Sequence, residues 1–162
     1  MFYQKRAEEI KKTLTGARLR SYAFALLTRR EYSKVELIEK LNLYAINPQE
    51  VLELVEEFAT SNYQSDERMA QAMLSSQIRK GKGIHRVKQA LEHKGLDVDL
   101  IADDLKNIDW FQQAYELKVK KFGTAITKDP KLKAKQIRFL QYRGFSMDVI
   151  FKAIQHQADE DE

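Results

Sequence analysis

The chain has 162 residues, 43% of them hydrophobic and 32% charged, with no cysteine and a formal net charge of +4. That length suits one ordinary domain or a short row of small modules, and the lack of thiols excludes disulfide and thiolate chemistry. No apolar run approaches the length needed to cross a bilayer, and Glu8 and Glu9 stand where a signal peptide would carry its apolar stretch, so a cytoplasmic location is expected.

With only two prolines and six glycines, and apolar residues recurring at helical spacing, the chain reads as nearly all helical. Residues 1–17 form an N-terminal extension, in which Phe2, Ile10 and Leu14 suggest a leading helix that stops near Gly16. Tyr22, Ala23, Leu26 and Leu27 line a helix over 18–30. Ser33 can cap a second, carrying Leu37, Ile38 and Leu41. Asn47, Pro48 and Glu50 suit the start of a third, because a capping side chain, a first-turn proline and a nearby carboxylate all favour a helix N-terminus. Its expected buried stripe is Val51, Leu52, Val55 and Phe58. Further helices are predicted near 66–80, 84–94 and 97–107, then near 109–122, 129–143 and 146–157.

One pattern recurs three times along these elements. Leu41 to Asn47, Leu91 to Asp97 and Leu140 to Ser146 each place a leucine four residues before a small residue, then an apolar and a capping one. The register continues into Val51/Ile101/Ile150, Leu52/Ala102/Phe151 and Val55/Leu105/Ile154. A period of about fifty residues implies one supersecondary unit copied in tandem. The predicted fold is therefore all-α: three tandem three-helix, helix-turn-helix-like repeats in an elongated, curved array. They span 18–63, 64–108 and 109–157, followed by an acidic tail over 158–162. Gly95 and Gly144 can end a helix in the left-handed conformation without steric cost. Lys94 and Arg143 complement the helix C-terminus beside them, and Leu96 and Phe145 plug the corner. Ala45 departs from this: either its turn differs, or Ala bears roughly 1 kcal/mol for a left-handed angle.

Reaction chemistry is not evident. His85, His93 and His156 form no ligand pair at helical spacing and suit exposed surface positions. Lys80-Gly81-Lys82-Gly83 lacks the first glycine and the Ser/Thr of a phosphate loop and follows no predicted strand. Its amides, at a helix start and flanked by cations, can still hold a single phosphate. Pairs such as Asp103-Asp104 and Glu56-Glu57 read as solvated charge. With no nucleophile, base and orienting group in sight, no enzyme, metal site or cofactor is expected.

Charge is unevenly distributed. Residues 111–155 carry 10 Lys/Arg against 3 Asp/Glu, whereas residues 64–110 carry 8 of each. Arg79, Lys80, Lys82, Arg86 and Lys88 form one basic patch. Lys118, Lys120, Lys121, Lys128, Lys131, Lys133, Lys135 and Arg138 form another, against only Asp129. Such clusters imply an anionic partner, nucleic acid first. Few aromatics interleave, so contact would be to phosphates, without sequence readout; Trp110 and Phe111 read as the start of a buried helix. The third helices of the first two repeats are acidic, carrying Glu50, Glu53, Glu56 and Glu57, then Asp97, Asp99, Asp103 and Asp104. DNA would repel them, which argues against groove reading by those helices. Separate acidic and basic surfaces suit a protein partner that itself coats nucleic acid.

Several stretches together resemble the bacterial RecX family of regulatory proteins. They are Ala25 to Ser33 with Glu36-Leu37 and Lys40-Leu41; Asp66-Glu67-Arg68; Gly81-Lys82-Gly83; Lys94-Gly95; Asp109-Trp110 with Lys121-Phe122; and Lys133 to Gln136 with Arg138-Phe139-Leu140, Arg143 to Ser146 and Ile150. The likeness covers about residues 18–155. Ile84 departs from it, since the family often has proline there, and so does Ala45. The resemblance implies tandem three-helix repeats and a modulator, mainly an inhibitor, of the recombinase RecA, lying along the RecA–single-stranded-DNA filament. It implies no catalytic residues. Candidate filament or nucleic-acid contacts are Arg79, Lys80, Lys82, Arg86, Lys88, Lys121, Lys128, Lys131, Lys133, Lys135, Arg138 and Arg143. A monomer with weak direct DNA binding is expected. An architectural DNA-binding protein acting through its basic face alone, and a helical adaptor indifferent to DNA, are the alternatives.

Overall fold

The computed structural model describes residues 11–158. Residues 1–10 of the predicted leading helix, and the Asp159 to Glu162 end of the acidic tail, lie outside them. The described residues fall into two compact units divided between Met69 and Ala70, within a helix. None of their helices is long and apolar enough to cross a membrane.

The first unit contains α1 (Gly16–Arg29), α2 (Lys34–Asn42), α3 (Pro48–Thr60) and the first turn of α4 (Asp66–Arg79). The predicted caps are present. The Ser33 side chain accepts from the Glu36 amide, and Asn47 accepts from the Gln49 amide ahead of Pro48. Each such cap satisfies an amide that has no partner within the helix, worth about 1 kcal/mol. Leu19, Ala23, Leu26, Leu37, Leu41, Val51, Leu54, Val55 and Phe58 form the core. Leu54 takes the buried place expected of Leu52, which is 48% exposed. The reason is periodicity: 51, 54, 55 and 58 share a face at 3.6 residues per turn, whereas 52 is rotated off it.

Residues 11–15 are not helical, contrary to the leading helix expected over 1–15, and Gly16 opens α1 instead of closing a helix. Leu14 instead forms an isolated parallel bridge with Ala45. The Leu14 amide donates to the Tyr44 carbonyl (2.9 Å) and the Ile46 amide to the Leu14 carbonyl (3.0 Å). This pairing explains the odd turn. Among described non-glycine residues only Asn62 has a positive φ, so Ala45 bears no left-handed strain. Ala45 is buried, and Ile46 turns outward where Leu96 and Phe145 plug their corners.

The second unit contains the rest of α4, then α5 (Ile84–His93), a 3-10 turn (Val98–Ile101), α6 (Ala102–Lys106), α7 (Trp110–Phe122), α8 (Pro130–Tyr142) and α9 (Met147–Gln155). The helix expected over 97–107 is broken at Ile101, whose backbone leaves the helical region (φ −123°, ψ 23°). Ile101 and Leu105 remain buried across the break. Gly95 and Gly144 take the left-handed angles predicted for them (φ 67° and 97°). In the last triplet, α9 packs on both α7 and α8 around Ala114, Leu140, Phe145, Ile150, Ala153 and Ile154.

The two triplets of this unit are joined through backbone. The Gly83 amide donates to the Arg143 carbonyl (2.8 Å) and the His85 amide to the Gly144 carbonyl (2.9 Å). Gly83 caps α5 without a side-chain hydrogen bond, so amides at the start of α5 are satisfied by the turn after α8. The approach leaves no room for a methyl group. A Cβ on Gly83 would lie 2.5 Å from the Gly144 carbonyl carbon, and one on Gly144 would lie 2.8 Å from the Arg86 nitrogen.

Lys118 is fully buried although it belongs to a basic run. Its ammonium donates to the Ala125 carbonyl (3.0 Å), tying α7 to the connection before α8. Burial pushes its pKa below the ordinary lysine range.

Gly83→Ala and Gly144→Ala should each lower stability by about 2 kcal/mol or more, because backbone must move to admit the methyl group. Gly16→Ala, at φ 56° with nothing within 4 Å of its Cβ, should cost only the roughly 1 kcal/mol of a left-handed angle. Urea unfolding of the three variants measures the contrast, and equal losses would mean that the two backbones do not meet at Gly83 and Gly144. A second expectation concerns pH. Between its lowered pKa and the ordinary value of about 10.4, Lys118 binds fewer protons folded than unfolded, so its contribution to stability rises with pH. The stability of the parent relative to Lys118→Met should therefore rise through that window and stay level below it; a difference that is level throughout would mean the ammonium is not desolvated.

Candidate nucleic-acid interface

Helix ends and turns, more than helix faces, set the candidate cations. Arg79 ends α4 and Lys80 follows it. Lys120 lies in the last turn of α7, and Arg143 follows α8. These four side chains, distant in sequence, line one groove of about 370 Å³ with Ile78, Gly81, Gln113, Glu116 and Leu117. The two basic patches thus meet within the second unit. Glu116 is the one carboxylate in the lining.

Arg143 is held in place. Its guanidinium donates to the Lys80 carbonyl (3.0 Å) and sits 5.5 Å from the centre of the Phe139 ring. Arg86 is held likewise: its Nε donates to the Tyr142 carbonyl (3.0 Å), and its guanidinium lies 4.9 Å from the Tyr142 ring centre. In both cases the partner is a neutral carbonyl, so the cation is positioned while its charge is kept.

The other candidates are placed more loosely. Lys121 lies 4.3 Å from the Phe139 ring centre and 5.8 Å from that of Phe122. Lys128 stands exposed in the connection before α8, and Lys131, Lys135 and Arg138 are exposed along α8, with Lys133 half-buried. Lys82 is half-buried. Lys88 borders a different hollow, of about 450 Å³, with Lys106, Asp99 and Trp110. Lys118 leaves the basic surface altogether, since burial and the Ala125 carbonyl claim it.

Three further expectations change. The loop at Lys80 to Gly83 does not offer its amides to a phosphate: those of Lys80, Gly81, Lys82 and Gly83 donate to the carbonyls of Ser76, Ile78, Gln77 and Arg143. His156 is half-buried between aromatic rings, 4.7 Å from the Tyr115 centre and 5.1 Å from that of Phe111. The acidic face of α3 is largely engaged at home. Glu50 accepts from the Thr15 hydroxyl and the Gly16 amide, Glu57 from Arg20 (2.6 Å) and Glu56 from Lys34 (2.6 Å). Trp110 does start a partly buried helix, its indole N–H donating to the Leu105 carbonyl (3.2 Å). One residue escaped the sequence reading: Tyr142, 72% exposed beside Arg86. Its position just before the Arg143-Gly144 turn was the available signal.

Among the described residues no group of three or more His, Asp and Glu is placed to hold a metal ion. The second and third three-helix domains of RecX match residues 65–105 and 107–154 of the chain. The regulatory protein RecX of Acinetobacter baylyi is 64% identical over 148 residues, covering 91% of this chain and 92% of the relative. That of Chromobacterium violaceum is 39% identical over 146 residues, covering 90% and 95%. The crystal structure of RecX from Lactobacillus salivarius has the same fold, with a TM-score of 0.73 at 20% identity over 85% of this chain and 92% of that one. With its helical triplets and a majority of its length matched in this way, the chain belongs to the RecX family of regulatory proteins.

Proposed function

We propose that this protein restrains the recombinase RecA by binding the RecA–single-stranded-DNA filament as a cytoplasmic monomer, acting by contact and without turnover. The observation that carries the proposal is the convergence of Arg79, Lys80, Lys120 and Arg143 on one groove, together with the exposed cations of α8. A cationic groove concentrates an anionic partner and adds affinity by releasing counterions from phosphates. Tandem three-helix repeats would present several such contacts on one chain, so that weak contacts reinforce each other through effective concentration. Binding across neighbouring filament subunits favours one filament geometry and resists the changes that accompany growth or turnover. Asp99, Asp103 and Asp104 remain to meet basic protein surface, a role α3 is poorly placed to share because its carboxylates pair within the unit.

The groove also favours a second reading, an architectural DNA-binding protein that acts through this face alone. Comparing filament, free RecA and bare single-stranded DNA at two salt concentrations separates them. The filament should bind tightest, and bare DNA should bind weakly with a steep loss in salt. Tight binding to bare DNA with no gain from RecA would establish the second reading. Arg79→Glu, Lys80→Glu and Lys120→Glu combined should weaken filament binding roughly tenfold or more and flatten its salt dependence. Neutralising Lys131, Lys133 and Lys135 together should also weaken it, and unchanged affinity would take the third repeat's α8 out of the contact surface.

A further inference from the structure

Tyr142 is the most exposed of the large hydrophobic side chains among the described residues, at 72%. A tyrosine ordinarily gains by burying its ring while keeping its hydroxyl wet, so a ring left open has an unused face. Its surroundings say what that face suits. Arg86 lies against the ring and donates to the residue's own carbonyl. Arg143, the next residue, lines the groove with Arg79, Lys80 and Lys120. An open π-surface therefore stands one residue from a cluster of four cations.

We infer that Tyr142 and Arg86 form a seat for one unpaired base of a single-stranded nucleic acid, whose adjoining phosphates lie in the groove of Arg79, Lys80, Lys120 and Arg143. The pairing of chemistries selects this ligand. An acidic protein segment would satisfy the cations but make no use of the ring. An apolar segment would use the ring but leave the cations unpaired. A nucleotide uses both, because every base has a π-face and every linkage a phosphate. A paired base has its faces stacked within the duplex, which limits the seat to single strands. Anchoring through backbone also lowers the cost of ordering the side chain on binding: Arg86 is already fixed by the Tyr142 carbonyl, and Arg143 by that of Lys80.

The inference deepens the proposed function and rests on its reading that the basic face meets nucleic acid, but its test leaves the recombinase out. Fluorescence anisotropy of the full chain at low salt, with a labelled single-stranded oligonucleotide and an abasic strand of the same length, reads the two parts of the seat separately. The base-bearing strand should bind about tenfold tighter than the abasic one, the size expected of one stacked base. Tyr142→Ala should abolish that preference by bringing the base-bearing strand down to the abasic level, with the fold kept, since the ring is exposed. Tyr142→Phe should keep the preference. The combined Arg79, Lys80 and Lys120 reversal should weaken both strands alike. Equal binding of the two strands by the parent, no binding of either, or an unaltered preference in Tyr142→Ala would overturn the inference. Should these results hold while the RecA filament fails to bind, the filament reading falls and the seat stands.

Discussion

Two hydrogen bonds organise the second unit of this protein, from the amides of Gly83 and His85 to the carbonyls of Arg143 and Gly144. A helix N-terminus leaves amides without intrahelical partners, and a buried one without any partner costs on the order of 1–3 kcal/mol. Here the start of α5 satisfies them on the turn that ends α8. The contact demands glycine on both sides for different reasons. Gly83 has no space for a Cβ, while Gly144 lacks space and also turns left-handed. Once backbone meets backbone, Arg86 comes within reach of Tyr142 and Arg143 within reach of Lys80. The groove and the contact between Arg86 and Tyr142 both follow from that joint.

What was legible in the sequence is what local chemistry decides. Ser33, Asn47, Gly95 and Gly144 end or begin helices through their own side chains or their own freedom in φ, so they could be read one at a time. The repeat was legible because Leu41, Leu91 and Leu140 occupy the same fully buried place in each triplet. Failures occurred where a distant segment intervened. Nothing near Ala45 announces that Leu14 will pair with it, and nothing near Gly83 announces a cap supplied from sixty residues away. Leu52 is a different case: the stripe at 51, 54, 55 and 58 was present in the periodicity, but the three-way alignment favoured a column that faces outward in α3 and α9.

Charge shows the same division between composition and geometry. The basic bias of residues 111–155 was evident from counting, yet counting treats Lys118 and Lys120 as equals. They are two residues apart on a helix, roughly 200° around its axis, so one enters the core and the other borders the groove. Counting also suggested an acidic α3 face open to a partner. In the fold, Arg20 and Lys34 lie against its carboxylates.

The two units use their cations in opposite ways. In the first, Arg20–Glu57, Arg30–Glu36, Lys34–Glu56 and Arg68–Glu31 are ion pairs, which hold side chains in place and cancel charge at the same time. In the second, Arg86 and Arg143 are held by backbone carbonyls and aromatic rings. A carbonyl orients a guanidinium through its dipole and leaves the full positive charge available to a third party. Because the guanidinium has five donors in a rigid fork, one bond to the protein still leaves others for an anion. Rigid placement without neutralisation is what a surface needs to meet a polyanion with little loss of side-chain entropy. It is also what separates these arginines from the exposed lysines of α8, whose charge is equally available but whose stems must be ordered on contact.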